Sequence, residues 1–284
     1  MMVWQNADYW AMLWHEERRK SLYGLQRQEK AGAAWWDQRA EFFAKKTREE
    51  NENSRQARIM STLERNGFLN ADIEVLDIGS GPGSYALLMA PYVKRVVALD
   101  PSSKMLKIME IRAANKGVKN IEAVNLAWEE VDLDKLGWRK KFGLVFAVST
   151  PGIHDAETLQ KMIDASSNVC FYSSFCRDED YALKDLWRIL YAKEMPPIPA
   201  DIFYIFHLLY AWGYVPILEL YEQHTEKMVS MDEAEQQLAL LMEPYPKVKG
   251  LQEQIRSYLQ QKSNNGVFNR VRDYVEGNLI WTVP

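Results

Sequence analysis

The chain has 284 residues, of which 47% are hydrophobic and 26% charged, with a formal charge of −4; this ordinary globular balance suits one large α/β domain or two small ones. Its basic residues are scattered, and the densest runs, Arg18-Arg19-Lys20 and Arg139-Lys140-Lys141, are short, which disfavours nucleic acid as a partner because that needs a concentrated basic face. The start, Met1-Met2-Val3-Trp4-Gln5-Asn6, lacks a secretory pattern, and the most apolar stretch, 202–218, is broken by His207, Gly213 and Pro216, so a soluble, cytoplasmic protein without a membrane span is expected.

Residues 1–70 read as helical. Trp4, Trp10 and Trp14 recur at roughly helical spacing, and Trp35, Trp36, Ala40, Phe43 and Ala44 mark a second apolar stripe. A third helix is expected from about Asn53 to Arg65, burying Ile59, Met60 and Leu63 and ending near Gly67. The middle of the chain alternates expected strands at 73–78, 95–99, 120–126, 144–148 and 169–174 with helices at 84–90, 102–116 and 155–165. Helices of that length between strands imply right-handed βαβ units and a doubly wound, mostly parallel sheet with helices on both faces. Cys170 and Cys176, the only cysteines, fall in or beside the last of these strands and read as free thiols.

After residue 176 the alternation breaks. A helix at 181–191 runs into Met195-Pro196-Pro197-Ile198-Pro199, an aromatic helix follows at 203–212, and 215–221 reads as a strand. Ser230-Met231-Asp232-Glu233 is a capping-box pattern opening a helix to about Met242; 247–261 is helical and 278–283 a last strand. The expectation is an α/β fold with seven strands, divided into an N-terminal helical lid (1–70), a ligand-binding core (71–176), and a helical cap insertion with the final two strands (177–284).

The segment Val75-Leu76-Asp77-Ile78-Gly79-Ser80-Gly81-Pro82-Gly83 places a glycine-rich turn between a strand and a helix. Glycine allows close approach of a ligand to the main chain, and such a turn grips nucleotide-type cofactors. Asp100 closes the next strand about 20 residues on, where a carboxylate accepts hydrogen bonds from ribose hydroxyls. The dinucleotide fingerprint G-x-G-x-x-G wants glycine at position 84, which is Ser84, and the nearby Asp77 suits an ammonium and a sulfonium better than a pyrophosphate.

Val75 to Gly83 resembles the first motif of class I S-adenosylmethionine-dependent methyltransferases, and the resemblance extends over about residues 33–176. It implies a Rossmann-like core, S-adenosylmethionine as methyl donor (with S-adenosylhomocysteine as product) and a small-molecule substrate. On this resemblance Asp77, Gly79, Ser80, Gly81 and Gly83 form the cofactor loop, and Asp100 holds the ribose beside Pro101. Ser102, Met105, Ala127 and Trp128 flank the adenine, with Val148 at the end of the fourth strand. Trp36-Asp37-Gln38-Arg39-Ala40 resembles a W-D-x-R-A element whose Arg39 contacts the methionyl carboxylate. Gly143 stands where the fourth strand of the family often begins with an acid.

S-Adenosylmethionine carries its own leaving group, so no universal catalytic triad is expected. His154, in Ser149-Thr150-Pro151-Gly152-Ile153-His154-Asp155, is a candidate base, set against a plain reading as an exposed loop residue beside a helix-capping Asp155. No metal site is expected. There is no N/D-P-P-Y/F sequence after the fourth strand and no Pro-Cys pair, which excludes two nucleic-acid base methylation chemistries. The alternatives are an NAD-dependent oxidoreductase on a similar sheet and a non-catalytic S-adenosylmethionine-binding protein. Oligomeric state is not legible.

Overall fold

Runs of β-branched and apolar residues form β1 (Glu74–Ile78), β2 (Arg95–Leu99), β3 (Ile121–Val124) and β4 (Phe142–Val148). In the computed structural model, which describes residues 5–29, 32–49 and 55–284, these four pair in parallel in the order β3-β2-β1-β4. Trp4 and Asn53 of the expected N-terminal helices lie outside the described residues. Four of the five residues in β1 and in β2 are buried, as a sheet covered on both faces requires.

One face is covered by α4 (Arg55–Arg65), α5 (Ala86–Met89) and α6 (Ser103–Asn115), where Ile59, Leu63, Met89 and Met109 pack against Val75, Val96, Phe146 and Phe171. α5 is shorter than expected because Pro91 tightens the chain into a 3-10 turn at Ala90–Tyr92. The other face is covered by α1 (Ala7–Lys20), α7 (Ala156–Ala165) and α9 (Asp201–Ala211), with Trp14, Leu159, Ile205 and Leu209 against Leu76, Val145, Tyr172 and Trp281. α9 buries Ile202, Ile205, Leu208 and Leu209 and leaves Phe203 and Tyr210 exposed. α1 is fastened to α9: the Trp14 indole donates to Asp201 Oδ1 at 2.7 Å, Arg18 pairs with Asp201, and Trp10 stacks on His207 with ring centroids 4.1 Å apart.

The remaining strands are long: β5 (Ser166–Asp180), β6 (Ile217–Ser230) and β7 (Val267–Thr282). The full order is β3-β2-β1-β4-β5-β7-β6, with β5 parallel to β4, and β7 antiparallel to both β5 and β6. Pairing continues well past the end of β4, through Asp180↔Arg272 and Ser230↔Val267. The region after 176 contains the helices and the two strands expected of it, but both strands are much longer than expected. It is a three-stranded antiparallel extension of the sheet, packed against α8 (Tyr181–Tyr191), α10 (Met231–Met242) and α11 (Leu251–Lys262) through Leu186, Leu238, Ile255, Leu259 and Phe268. The outer half of β6 hides in the sequence because its inward residues Tyr221, Gln223 and Thr225 are only half-buried and two are polar. Ladder hydrogen bonds, not apolar alternation, hold it. Among the described residues no helix is long and apolar enough to cross a membrane.

Candidate cofactor and acceptor site

The loop after β1 is sewn to β2, since the amides of Gly79 and Ser80 both donate to the Leu99 carbonyl, at 2.8 and 3.0 Å. Gly79 has φ +73°, and a Cβ there would lie 2.2 Å from Thr150 Oγ1; only glycine satisfies both conditions. Gly81 has φ +54° with open space where a Cβ would sit, and its amide donates to Asp100 Oδ2 at 2.8 Å. Gly83 abuts Met109 of α6. The glycines thus serve turn geometry, ligand room and helix packing respectively.

Asp100 also accepts from the Ser102 amide at 2.8 Å. Ser102 is fully buried, caps α6 through Met105 N at 3.1 Å, and donates its hydroxyl to Asp37 Oδ1 at 2.6 Å. Asp37 belongs to α3 (Ala33–Glu49) and also accepts from Lys104 N, and the Ser102 hydrogen bond is the main cause of its lowered pKa. The carboxyl end of β2 is in this way tied to an N-terminal helix that the W-D-x-R-A resemblance had marked for Arg39 instead.

Asp77 lies beneath the loop with its Oδ2 buried and lacking a hydrogen-bond partner, as is Ser80 Oγ. Burial, and then the nearby Asp100, push the Asp77 carboxyl up to about 8, against a stabilising Ala86 amide. Burial also raises Asp100, opposed by the amides of Ser102 and Gly81. Two acids short of positive charge beside an open glycine turn fit a cationic ligand: an ammonium or sulfonium nearby would favour their ionised forms. A pyrophosphate would do the reverse.

The other expected residues divide. Pro101, Ala127 and Val148 are half-buried at the carboxyl ends of β2, β3 and β4, and Met105 is buried behind Ser102. Trp128 is 2% exposed, and its indole donates to the Thr158 carbonyl at 3.1 Å, so its ring packs in the core. Arg39 is buried against the Trp35 ring, 3.7 Å from its centroid, and pairs with Glu243 at the end of α10. Gly143 sits at the amino end of β4, remote from the loop, where a Cβ would collide with Ile73. His154 is 8% exposed rather than an exposed loop residue; Nδ1 lies 3.0 Å from the Pro151 carbonyl and Nε2 3.3 Å from Asp155 Oδ2. Asp155 caps α7 as expected, accepting from Thr158 N at 2.8 Å. Among the described residues no group of three or more His, Cys, Asp or Glu could hold a metal ion.

Sequence reasoning missed Arg55. It opens α4 and reaches across the carboxyl end of β4 to the middle of β5, donating to Ser149 Oγ at 2.5 Å and Ser173 Oγ at 2.8 Å, while Gln56 donates to the Ser84 carbonyl of the glycine loop. Ser149 takes φ +50°, a strained value for a serine. An arginine at the start of an arginine-rich helix carries no sequence signal beyond a solvated face.

Residues 75–170 match the family model described as a methyltransferase domain. A curated relative, the uncharacterized methyltransferase YcgJ of Bacillus subtilis (strain 168), is 39% identical over 51 residues, 18% of this chain and 20% of the relative, so the aligned stretch spans about a fifth of that protein. The crystal structure of YcgJ superposes with a TM-score of 0.50 at 16% identity, covering 78% of this chain and 96% of that one. A second structure, from Bacillus halodurans C-125, gives 0.50 at 18% identity over 79% and 98%. At these identities the superpositions speak for a shared Rossmann-like α/β fold. The domain match falls on β1 through the middle of β5, the segment that holds the glycine loop and Asp100, and it does not favour the dinucleotide alternative.

Proposed function

We propose that the protein transfers a methyl group from S-adenosylmethionine to a small-molecule acceptor. The observation that carries this reading is the pair Asp77 and Asp100 beside the open glycine turn, one acid with an unsatisfied buried oxygen and both with raised pKa values. When bound, the cofactor supplies an electrophilic methyl and its own leaving group. The chain's residues then bind, orient and exclude water. The main chain at Gly79, Ser80, Gly81 and Gly83 would hold the amino-acid end, Asp77 would supply negative charge to it, and Asp100 would accept from the ribose. Pro101, Ser102 and Met105 would form the wall on the side of the base, with Ala127 and Val148 the residues that would border the base and the reacting methyl.

Arg39 and Trp128 are left out of this set, because Glu243 and the Thr158 carbonyl already engage them. His154 is poorly placed to take a proton from an acceptor, since its ring is buried and both nitrogens are already engaged by protein oxygen atoms; its role in this reading is to brace the turn between β4 and α7.

The test is calorimetry with S-adenosylmethionine, S-adenosylhomocysteine and NADH, followed by incubation with methyl-labelled donor and a panel of small acceptors. Binding of the two sulfur compounds and label in an acceptor is the expected result. Binding of NADH in their place would overturn it, and tight donor binding without S-adenosylhomocysteine formation across the panel would favour the non-catalytic alternative.

A further inference from the structure

The long antiparallel extension places a half-buried face next to the carboxyl end of β4, on the edge of an open α/β sheet where ligands bind. On that face the Arg55 guanidinium stacks over the Phe175 ring, 4.7 Å from its centroid. Arg272 lies 5.0 Å from the same ring and 4.7 Å from that of Tyr274. The result is a row of flat groups, guanidinium, ring, guanidinium, ring, running outward from the site.

Charge along this row is unbalanced. Arg272 is held by Asp178 through two hydrogen bonds of 2.6 and 2.7 Å, and Arg58 pairs with the buried Glu276. Arg55 has only a long ion pair of this kind among the described residues. Its Nη atoms contact only the hydroxyls of Ser149 and Ser173, and its buried Nε has no hydrogen-bond partner and lies 3.9 Å from Glu276 Oε1. Glu276 is thus shared between Arg58, in close contact, and Arg55, at longer range, so Arg55 at the inner end is the less closely matched of the two. A buried, under-satisfied guanidinium is matched by a planar anion that accepts two parallel hydrogen bonds.

We propose that this face is the acceptor subsite, and that the acceptor is an aromatic or conjugated carboxylate, its anionic group on Arg55 and its plane along Phe175 and Tyr274. The assignment rests on the methyl-donor reading above and narrows it to a substrate class. The exposed Ser149 hydroxyl, now bonded to Arg55, gives up that contact to the carboxylate when the acceptor enters, while the buried Ser173 hydroxyl stays with Gly277 and Asn278.

The experiment titrates benzoate, cinnamate, salicylate and indole-3-acetate, each beside its primary amide, into the full chain saturated with S-adenosylhomocysteine. At least one acid is expected to bind about tenfold or more tighter than its amide, because a charge-assisted bidentate contact is lost in the amide. Arg55→Gln should erase that preference while S-adenosylhomocysteine affinity stays within about threefold. Phe175→Leu should weaken the same acid while leaving cyclohexanecarboxylate unaffected, and circular dichroism checks that both variants fold. No acid preferred over its amide overturns the assignment. So does an Arg55→Gln variant that loses S-adenosylhomocysteine instead of the acid, which would move the guanidinium to the cofactor's amino-acid end. If the wild-type chain does not bind S-adenosylhomocysteine at all, the donor reading itself fails, an outcome distinct from acid binding failing alone.

Discussion

Asp77→Asn is the sharpest perturbation of the cofactor site, because it keeps the shape of the side chain and removes its titration. With the Asp77 carboxyl pushed up to about 8 by burial and by Asp100, about nine-tenths of the ligand-free protein carries a proton there at pH 7. A bound cation that restores an ordinary carboxylate pKa expels that proton, so binding at pH 7 should release about 0.8–0.9 proton, falling to about 0.1 at pH 9. Affinity should accordingly rise with pH, by up to about tenfold per unit between pH 6 and 8, and then level off. The stability of the ligand-free protein runs the other way. A folded-state pKa above the unfolded value favours the protonated native form, so this contribution is complete below about pH 4 and is lost as pH rises through about 8. Asp77→Asn should bind S-adenosylhomocysteine about 1.5–3 kcal/mol more weakly at pH 8, through loss of a charged hydrogen-bond acceptor, yet resist denaturant better than wild type at that pH. Calorimetry of S-adenosylhomocysteine binding in two buffers of different ionisation enthalpy reads the proton count directly. Equal proton release by wild type and Asp77→Asn, or affinity flat with pH in the wild type, would refute the reasoning.

Asp100→Ala removes the proposed ribose acceptor and should weaken S-adenosylhomocysteine by about 2–4 kcal/mol; unchanged calorimetric affinity in a folded variant would dismiss that role. Gly79→Ala places a Cβ against Thr150 at φ +73°, and left-handed strain plus overpacking should lower stability by about 2–4 kcal/mol in urea unfolding. Thr150→Gly in the same chain should recover the packing part only. Asp201→Ala leaves Arg18 and the Trp14 indole without their shared partner and should cost about 3–5 kcal/mol, read as a shift of the denaturation midpoint; a loss below about 1 kcal/mol would show that α1 docks by apolar contact alone.

The core was legible because its parallel strands are buried on both sides and read as apolar runs, each closed by a turn or helix signal. The same logic exposed the glycine loop and Asp100, where backbone geometry restricts residue choice. It failed where side chains work through neighbours distant in sequence. Trp128 looks like a ligand edge but gives its indole to Thr158, Arg39 is claimed by Glu243, and Arg55 gains meaning only from Ser149, Ser173 and Phe175. The outer strands failed for a different reason: Glu222 to Lys227 form a strand whose residues are exposed or half-buried, so the pairing partner, not the local pattern, decides the conformation.

The place of β7 in the sheet has a consequence for how the chain acquires its shape. β7 is inserted between β5 and β6 and, among the described residues, is the only strand that hydrogen-bonds to β6. During synthesis β6 therefore emerges with no edge to join, and it waits for α10, α11 and then β7 before a ladder can close. The glycine-loop segment, whose strands pair with early neighbours, can be organised long before that. Formation of the donor cradle and of the surface beyond it are thus separate events in time, the second gated by the last strand.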